Sequence, residues 1–333
     1  MNNKRLLWAD SLKGLLIVLV VLGHAIQETL KAGCFENHVW NYIYSFHMPA
    51  FMAVSGFLNY RMRGGITKRL STTYRRFRQL MIPFFCWAII QFVITPPYQI
   101  KSLVDVVLYP EGSFWFLWVL FFISVIYILG DWAAEKLKVK QEVVIAFLCL
   151  LFVALMVTVN IRVLGFQYIA YYFLFYSLGY YLHKYNKAVT SNNWLLLVLS
   201  IVWAVMAWFW NMHKLPTFLS TIPLSSTMLQ YAYRFVTAAI AVYVLFGVSP
   251  KLLNNEAKWN QPMLRLGKIS LGIYTTHILI IPFIVGFLKS INALSSIEVV
   301  IIAFIIALAL AWLLTWLLSK IKITNRLLLG KIQ

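Results

Sequence analysis

Residues 11–30 read SLKGLLIVLVVLGHAIQETL, an apolar run interrupted by Lys13 and His24. Its length falls within the roughly 17 to 25 residues that let an α-helix cross the hydrocarbon core of a bilayer. Read as a membrane helix, it places two ionisable side chains where hydrocarbon should be, and the fold must give them polar company.

The rest of the chain repeats the pattern. Of 333 residues, 62% are hydrophobic and 12% charged, against about a quarter charged in soluble domains; mean hydropathy is +0.78. Ten runs have spanning length: 12–30, 40–59, 80–98, 114–130, 143–160, 166–182, 194–210, 228–248, 269–288 and 297–319. They predict an all-α, polytopic transmembrane helix bundle of about ten spans, one domain over 1–333 with no appended soluble domain.

The net charge of +19 would suit a nucleic-acid partner, but its distribution argues otherwise. Twenty-two of the 29 Lys and Arg lie in the terminal segments and in loops 60–79, 131–142, 183–193 and 249–268, whereas the intervening loops hold only Lys31, Lys101, Arg162, Lys214 and Lys289. The positive-inside rule then puts both termini in the cytoplasm, as an even number of spans requires. The basic excess reports topology, and no nucleic-acid partner is expected. Lys4 and Arg5 ahead of the first run resemble a secretory leader, yet no small-residue cleavage pattern follows, so that helix is expected to be retained. Cys34, Cys86 and Cys149 have neither disulfide nor metal spacing and read as packing residues.

At about 100° per residue, the eleven steps from Lys13 to His24 leave the two side chains only about 20° apart, with Asp10 and Glu28 each about 40° from His24. Asp10, Lys13, His24 and Glu28 therefore form one ionisable stripe, the candidate catalytic set. Charges at mid-span cost roughly 2.5 to 3.5 kcal/mol each on insertion scales, so they face a bundle interior or a watery cavity and mark function. The plainer reading makes Asp10 and Lys13 interfacial anchors and His24 a hydrogen-bonded core histidine.

The second run contains FHMPAFMAVSGFL, residues 46–58. His47 lies at a depth that lets it meet His24, Pro49 should kink the helix and free a carbonyl, and Ser55 and Gly56 are small enough for another helix to approach. Residues 61–83, RMRGGITKRLSTTYRRFRQLMIP, hold seven basic residues and no acid. As a cytoplasmic loop the segment would attract anionic lipid headgroups, while Arg69, Arg75, Arg76 and Arg78 at the mouth of the third span also suit phosphate oxygens. Arg234, near the outer end of the eighth run, would snorkel or hold an anionic ligand, and His277, eight residues into the ninth, is a further intramembrane polar candidate. His38, His183 and His213 carry no signal, and no pair of these residues has metal-ligand spacing.

These pieces, in order, resemble the acyltransferase-3 family of integral membrane acyltransferases, and within it the fucose 4-O-acetylase-like sugar O-acetyltransferases. The resemblance is carried by DSLKG; Lys13 and His24 as K-x10-H; FHMPAF followed by SGFL; Arg75 and Arg78 as R-x-x-R ahead of Pro83; FWFLW at 114–118; FYSLGYYL at 175–182; and GKISLGIYTTH at 267–277. It implies a ten-helix bundle in a bacterial inner membrane that takes an acyl group, usually acetyl from cytoplasmic acetyl-CoA, to a hydroxyl of a cell-surface or lipid-linked glycan. It also implies His24 as the main catalytic residue, with Lys13 and the Arg75/Arg78 pair serving the CoA end, and no metal. Larger relatives add an extracytoplasmic domain; here the bundle and its loops are expected to recognise the acceptor.

The rival reading is an exporter or small-molecule transporter, since buried ionisable residues in ten spans also describe carriers. Carriers often show two related halves, and the His24 and His47 cluster has no counterpart in the second half. A non-catalytic component of a polysaccharide synthase is a third reading with no positive feature. Nothing in the sequence decides between a monomer and a homo-oligomer.

Overall fold

The computed structural model describes residues 6–59, 66–96, 99–112, 114–159, 161–185, 192–254, 256–291 and 293–331. Lys4, Arg5, Arg61, Arg63 and Lys187, which entered the charge argument, lie outside them. All regular structure among the described residues is helical: α1 (Leu7–Leu30), α2 (His38–Asn59), α3 (Ile66–Arg76), α4 (Ile82–Ile94), α5 (Ile100–Leu108), α6 (Trp115–Lys136), α7 (Gln141–Thr158), α8 (Phe166–Lys184), α9 (Asn193–Trp208), α10 (Ser226–Leu252), α11 (Gln261–Lys268), α12 (Ser270–Ser290), α13 (Ser296–Lys320) and α14 (Lys322–Leu327).

Seven helical stretches among the described residues are long and apolar enough to cross a membrane: Leu7–Glu36, Thr67–Ile94, Trp115–Lys136, Gln141–Thr158, Ser226–Leu252, Ser270–Ser290 and Ser296–Lys320. The chain is an integral, multi-pass membrane protein. The other three expected spans fall on α2, α8 and α9. With 16 residues, α9 covers only about 24 Å at 1.5 Å per residue, short of a core about 30 Å thick. The other two are longer, but α2 is diluted by His, Asn and Ser and α8 by six tyrosines.

The basic segment before the third span is not the expected loop. From Ile66 it is helical, and α3 passes through a π-helical turn, Phe77–Met81, directly into α4. One face turns polar groups inward, Arg69 and Thr72 buried and Arg76 half-buried, while Leu70, Tyr74 and Phe77 are exposed alongside Lys68, Ser71 and Arg75. Polar residues that read as solvated loop thus line the inside of the fold. The wide turn has a local cause, since Pro83 has no amide for the Gln79 carbonyl and its ring would collide with it.

Contacts divide the chain into two compact units: one comprises residues up to Val54 and Tyr185–Trp316, the other Ser55–Lys184 and the residues from Leu317 on. In the first unit α1 is the axis, with fourteen of its 24 residues buried, so protein rather than lipid covers it. A Cβ on Gly267 would stand 1.7 Å from the Asp10 carbonyl oxygen; only glycine lets α11 come this close to α1. Farther along, Lys289 Nζ donates to the Thr29 carbonyl at 2.7 Å. These two contacts make α1 and α11–α12 run side by side in the same direction. In the second unit a Cβ on Gly56 would stand 2.0 Å from the Tyr176 carbonyl oxygen, so the small residue expected to admit a neighbour admits α8. The Trp87 indole donates to the Leu328 carbonyl at 2.9 Å, tying the chain end to α4.

Candidate active site

Two histidines from other helices, His47 and His277, gather at His24 in the first unit. The ring of His277, on α12, lies 5.1 Å from that of His24, centroid to centroid, and the planes are tilted by 59°. His47, on α2, is close enough to His24 for the two to interact electrostatically. Tyr44 joins them, 6.4 Å from His24 and 4.7 Å from His47. It gets there because His24 follows a glycine: a Cβ on Gly23 would stand 2.9 Å from the Tyr44 ring. The Tyr44 hydroxyl donates to Gln27 Oε1 at 2.7 Å.

The three imidazoles are not equivalent. His47 Nδ1 lies 2.7 Å from the Ile43 carbonyl and His277 Nδ1 lies 2.8 Å from the Ile273 carbonyl. A carbonyl only accepts, so each Nδ1 carries the proton and each Nε2 is left as the acceptor. Both rings are buried. His24 alone is partly accessible, and neither of its nitrogens has a hydrogen-bond partner among the described residues. Of the three it alone is both partly accessible and without a backbone bond to its ring among the described residues.

The remainder of the stripe divides. Asp10 and Lys13 form an ion pair at 2.8 Å, three residues apart, with Asp10 buried and Lys13 partly accessible. Glu28 pairs with Lys31 rather than with the imidazole one turn behind it, although it still acts on His24 electrostatically. Arg234 lies over the Trp210 ring at 5.7 Å and the Tyr231 ring at 6.0 Å, beside an aromatic cluster that includes Trp40 and Tyr233. The histidines without a signal have packing roles: His38 stacks on Trp208 at 4.0 Å, His213 meets Phe35 at 4.5 Å, and His183 Nδ1 donates to the Phe57 carbonyl at 2.6 Å.

Ser55 and the four arginines belong to the second unit. Arg69 bridges Asp131 at 3.0 Å and Glu135 at 2.5 Å. Arg76 donates to Asn59 Oδ1, whose amide donates to the Tyr176 hydroxyl at 2.6 Å. Asn59, Arg69, Asp131 and Tyr176 border a pocket that Tyr127, Gln141 and Tyr180 also line. Arg75 is exposed and Arg78, in the π-helical turn, lies 5.8 Å from the Tyr74 ring. Only Arg75 and Arg78 of the four present their charge without a carboxylate or amide against it in these contacts. Ser55 is half-buried beside Gly56.

Sequence reasoning passed over Tyr44 and Gln27. Both were within reach of it, since Tyr44 precedes His47 by three residues and Gln27 follows His24 by three, the spacing that puts side chains on one helix face. Among the described residues no group of three or more His, Cys, Asp or Glu is placed to hold a metal ion.

The profile of an acyltransferase domain family, Acyl_transf_3, matches residues 6–316. The nodulation protein NolL of Mesorhizobium japonicum is 37% identical over 134 residues, which is 36% of this chain and 34% of that protein. The nodulation protein NolL of Sinorhizobium fredii is 35% identical over 130 residues, 35% of this chain and 34% of that protein. The chain thus spans about a third of the length of the curated relatives it matches, 34% in each case. No solved structure matches it.

Proposed function

The chain belongs to the acyltransferase-3 family and is a membrane acyltransferase, and from that premise we propose that it moves an acetyl group from cytoplasmic acetyl-CoA to a hydroxyl of a cell-surface or lipid-linked sugar, with His24 as general base. A bacterial inner membrane with both chain termini on the cytoplasmic side is part of the proposal. The parallel course of α1 and α12 supports this topology, because it needs an even number of crossings from the first predicted span to the ninth.

The observation that carries the proposal is the contrast among the histidines: His47 and His277 are fixed by backbone carbonyls, while His24 is partly accessible and its nitrogens have no partner among the described residues. In the proposed step, neutral His24 takes the proton of the sugar hydroxyl as its oxygen attacks the thioester carbon. The carbon–sulfur bond then breaks, the ester stays on the sugar, and the proton passes to the departing thiolate to give free CoA. An acyl-His24 intermediate is the covalent variant of the same reading. Lys13 and Asp10, as an intact ion pair on the same stripe, line the donor's approach. Arg75 and Arg78 are assigned to its phosphates, which guanidinium groups bind bidentately. His47, Ser55 and Arg234 are assigned to the acceptor.

The test follows label from acetyl-labelled acetyl-CoA into the glycan fraction of membranes carrying wild type or His24→Ala at equal expression. Label that depends on His24 is the expected result. Equal labelling with both proteins would remove His24 from the chemistry.

A further inference from the structure

His277 is fully buried, its Nδ1–H is given to the Ile273 carbonyl 2.8 Å away, and its Nε2 has no partner among the described residues. A buried acceptor left unmade costs about 1 to 3 kcal/mol, and a folded interior does not normally carry that cost unless a partner is missing. The His24 ring lies 5.1 Å from the His277 ring, centroid to centroid, and its nitrogens also have no partner among the described residues. Bringing a His24 nitrogen to about 3 Å from His277 Nε2 would join the two rings by an N–H···N bond.

We infer that His277 is the positioning residue for His24: its Nε2 accepts the N–H of the His24 imidazole when acceptor and donor are bound, and so selects the His24 tautomer. The inference rests on the reading of His24 as general base. Several features converge on it. The backbone bond to Ile273 leaves neutral His277 no alternative but to present Nε2 as a lone pair. Glu28, the nearest carboxylate on α1, has its charge met by Lys31, so the orienting acceptor comes from α12 instead. His47 packs against the Tyr44 ring with its own Nδ1 engaged.

The consequence for the reaction is a division of labour between two imidazoles. With one His24 nitrogen donating to His277, the other carries the lone pair that receives the hydroxyl proton, as an orienting group does for a catalytic histidine elsewhere. No proton moves onto His277. The proton taken from the hydroxyl stays on His24 until the CoA thiolate collects it.

The test uses the full chain in native membranes and in detergent, with His277→Leu, which fills the space without an acceptor, and His277→Gln, whose amide oxygen restores one. Acetyl transfer to membrane glycans is measured at varied acetyl-CoA, alongside thermal unfolding. The expected outcome is a maximal rate about 10²-fold lower in H277L at an unchanged KM for acetyl-CoA, and recovery to within about tenfold of wild type in H277Q. Equal losses in both variants at wild-type stability, or an undiminished rate in H277L, would overturn the inference. If H277L fails to fold, H277Q decides alone: a rate within tenfold supports the acceptor role and a 10²-fold loss refutes it. His24→Ala, run in parallel, separates the two claims. Full activity there sinks the general-base reading itself, whereas a dead H24A beside a normal H277L sinks only the role of His277.

Discussion

Arg69 and Asp131 are joined at 3.0 Å inside the second unit, and Glu135 meets the same guanidinium nitrogen from one turn farther along α6. A residue expected to offer its charge to a ligand has it neutralised by two carboxylates of its own chain. Arg69→Met should therefore act on stability more than on donor binding. It strands Asp131 in a largely buried position, at a cost of about 2 kcal/mol once the exposure of Glu135 is discounted. Thermal unfolding in detergent should show the loss, and pairing the change with Asp131→Asn should recover part of it. An unchanged unfolding temperature together with a raised KM for acetyl-CoA would return Arg69 to the donor site.

Arg75 and Arg78 differ from Arg69 in having no carboxylate in contact among the described residues. Replacing both with Gln should raise the apparent KM for acetyl-CoA by about tenfold or more, the equivalent of one or two lost charge-assisted bonds. The KM for the glycan should move far less. Equal changes in both constants would argue that the pair holds the protein rather than the donor.

Gly267 predicts a steric effect with an internal control. Alanine there puts a carbon 1.7 Å from the Asp10 carbonyl oxygen, so α11 must move off α1. Overpacking of this kind costs about 1 to 3 kcal/mol, and because the moved backbone is that of Asp10, activity should fall with stability. On α12, by contrast, a Cβ at Gly286 meets nothing within 4 Å. Gly286→Ala should be neutral or stabilising by up to about 1 kcal/mol, through helix propensity alone. Melting curves of the two variants, measured together, check both.

Tyr44→Phe removes the bond to Gln27 while keeping the ring beside His24 and His47. The expected cost is about 0.5 to 1.5 kcal/mol in stability with the rate reduced by less than about tenfold. Tyr44→Leu, which takes away the aromatic face as well, should cut the rate further. A Phe variant as impaired as the Leu variant would mean that the hydroxyl, not the ring, is what the reaction uses.

The first helix was legible in the sequence because its information is local: the K-x10-H spacing and the polar stripe follow from helical pitch. The approach of His24 to His277 was not, since more than 250 positions separate them and the register between α1 and α12 comes from contacts such as those of Gly267 and Lys289. Local pattern also misled. Arg69, Thr72 and Arg76 look like a solvated loop until one sees that Leu70, Tyr74 and Phe77 take the outer face. The clue available was on α6, where Asp131 and Glu135 stand four apart, as two ligands of one guanidinium would. Glu28 lies on the His24 side of the first helix, yet its ion pair is with Lys31, three residues on and of opposite charge.

The ion pair of Asp10 with Lys13 has a meaning in time as well as in space. α1 leaves the ribosome about 250 residues before Gly267 and its neighbours, a delay of roughly 12 to 50 s at ordinary rates of synthesis. Throughout that interval the helix has no α11 or α12 to shelter its ionisable groups. A counter-charge three residues away forms with the helix itself, so Asp10 and Lys13 enter the bilayer already neutralised and α1 can wait there for the partners that complete the site.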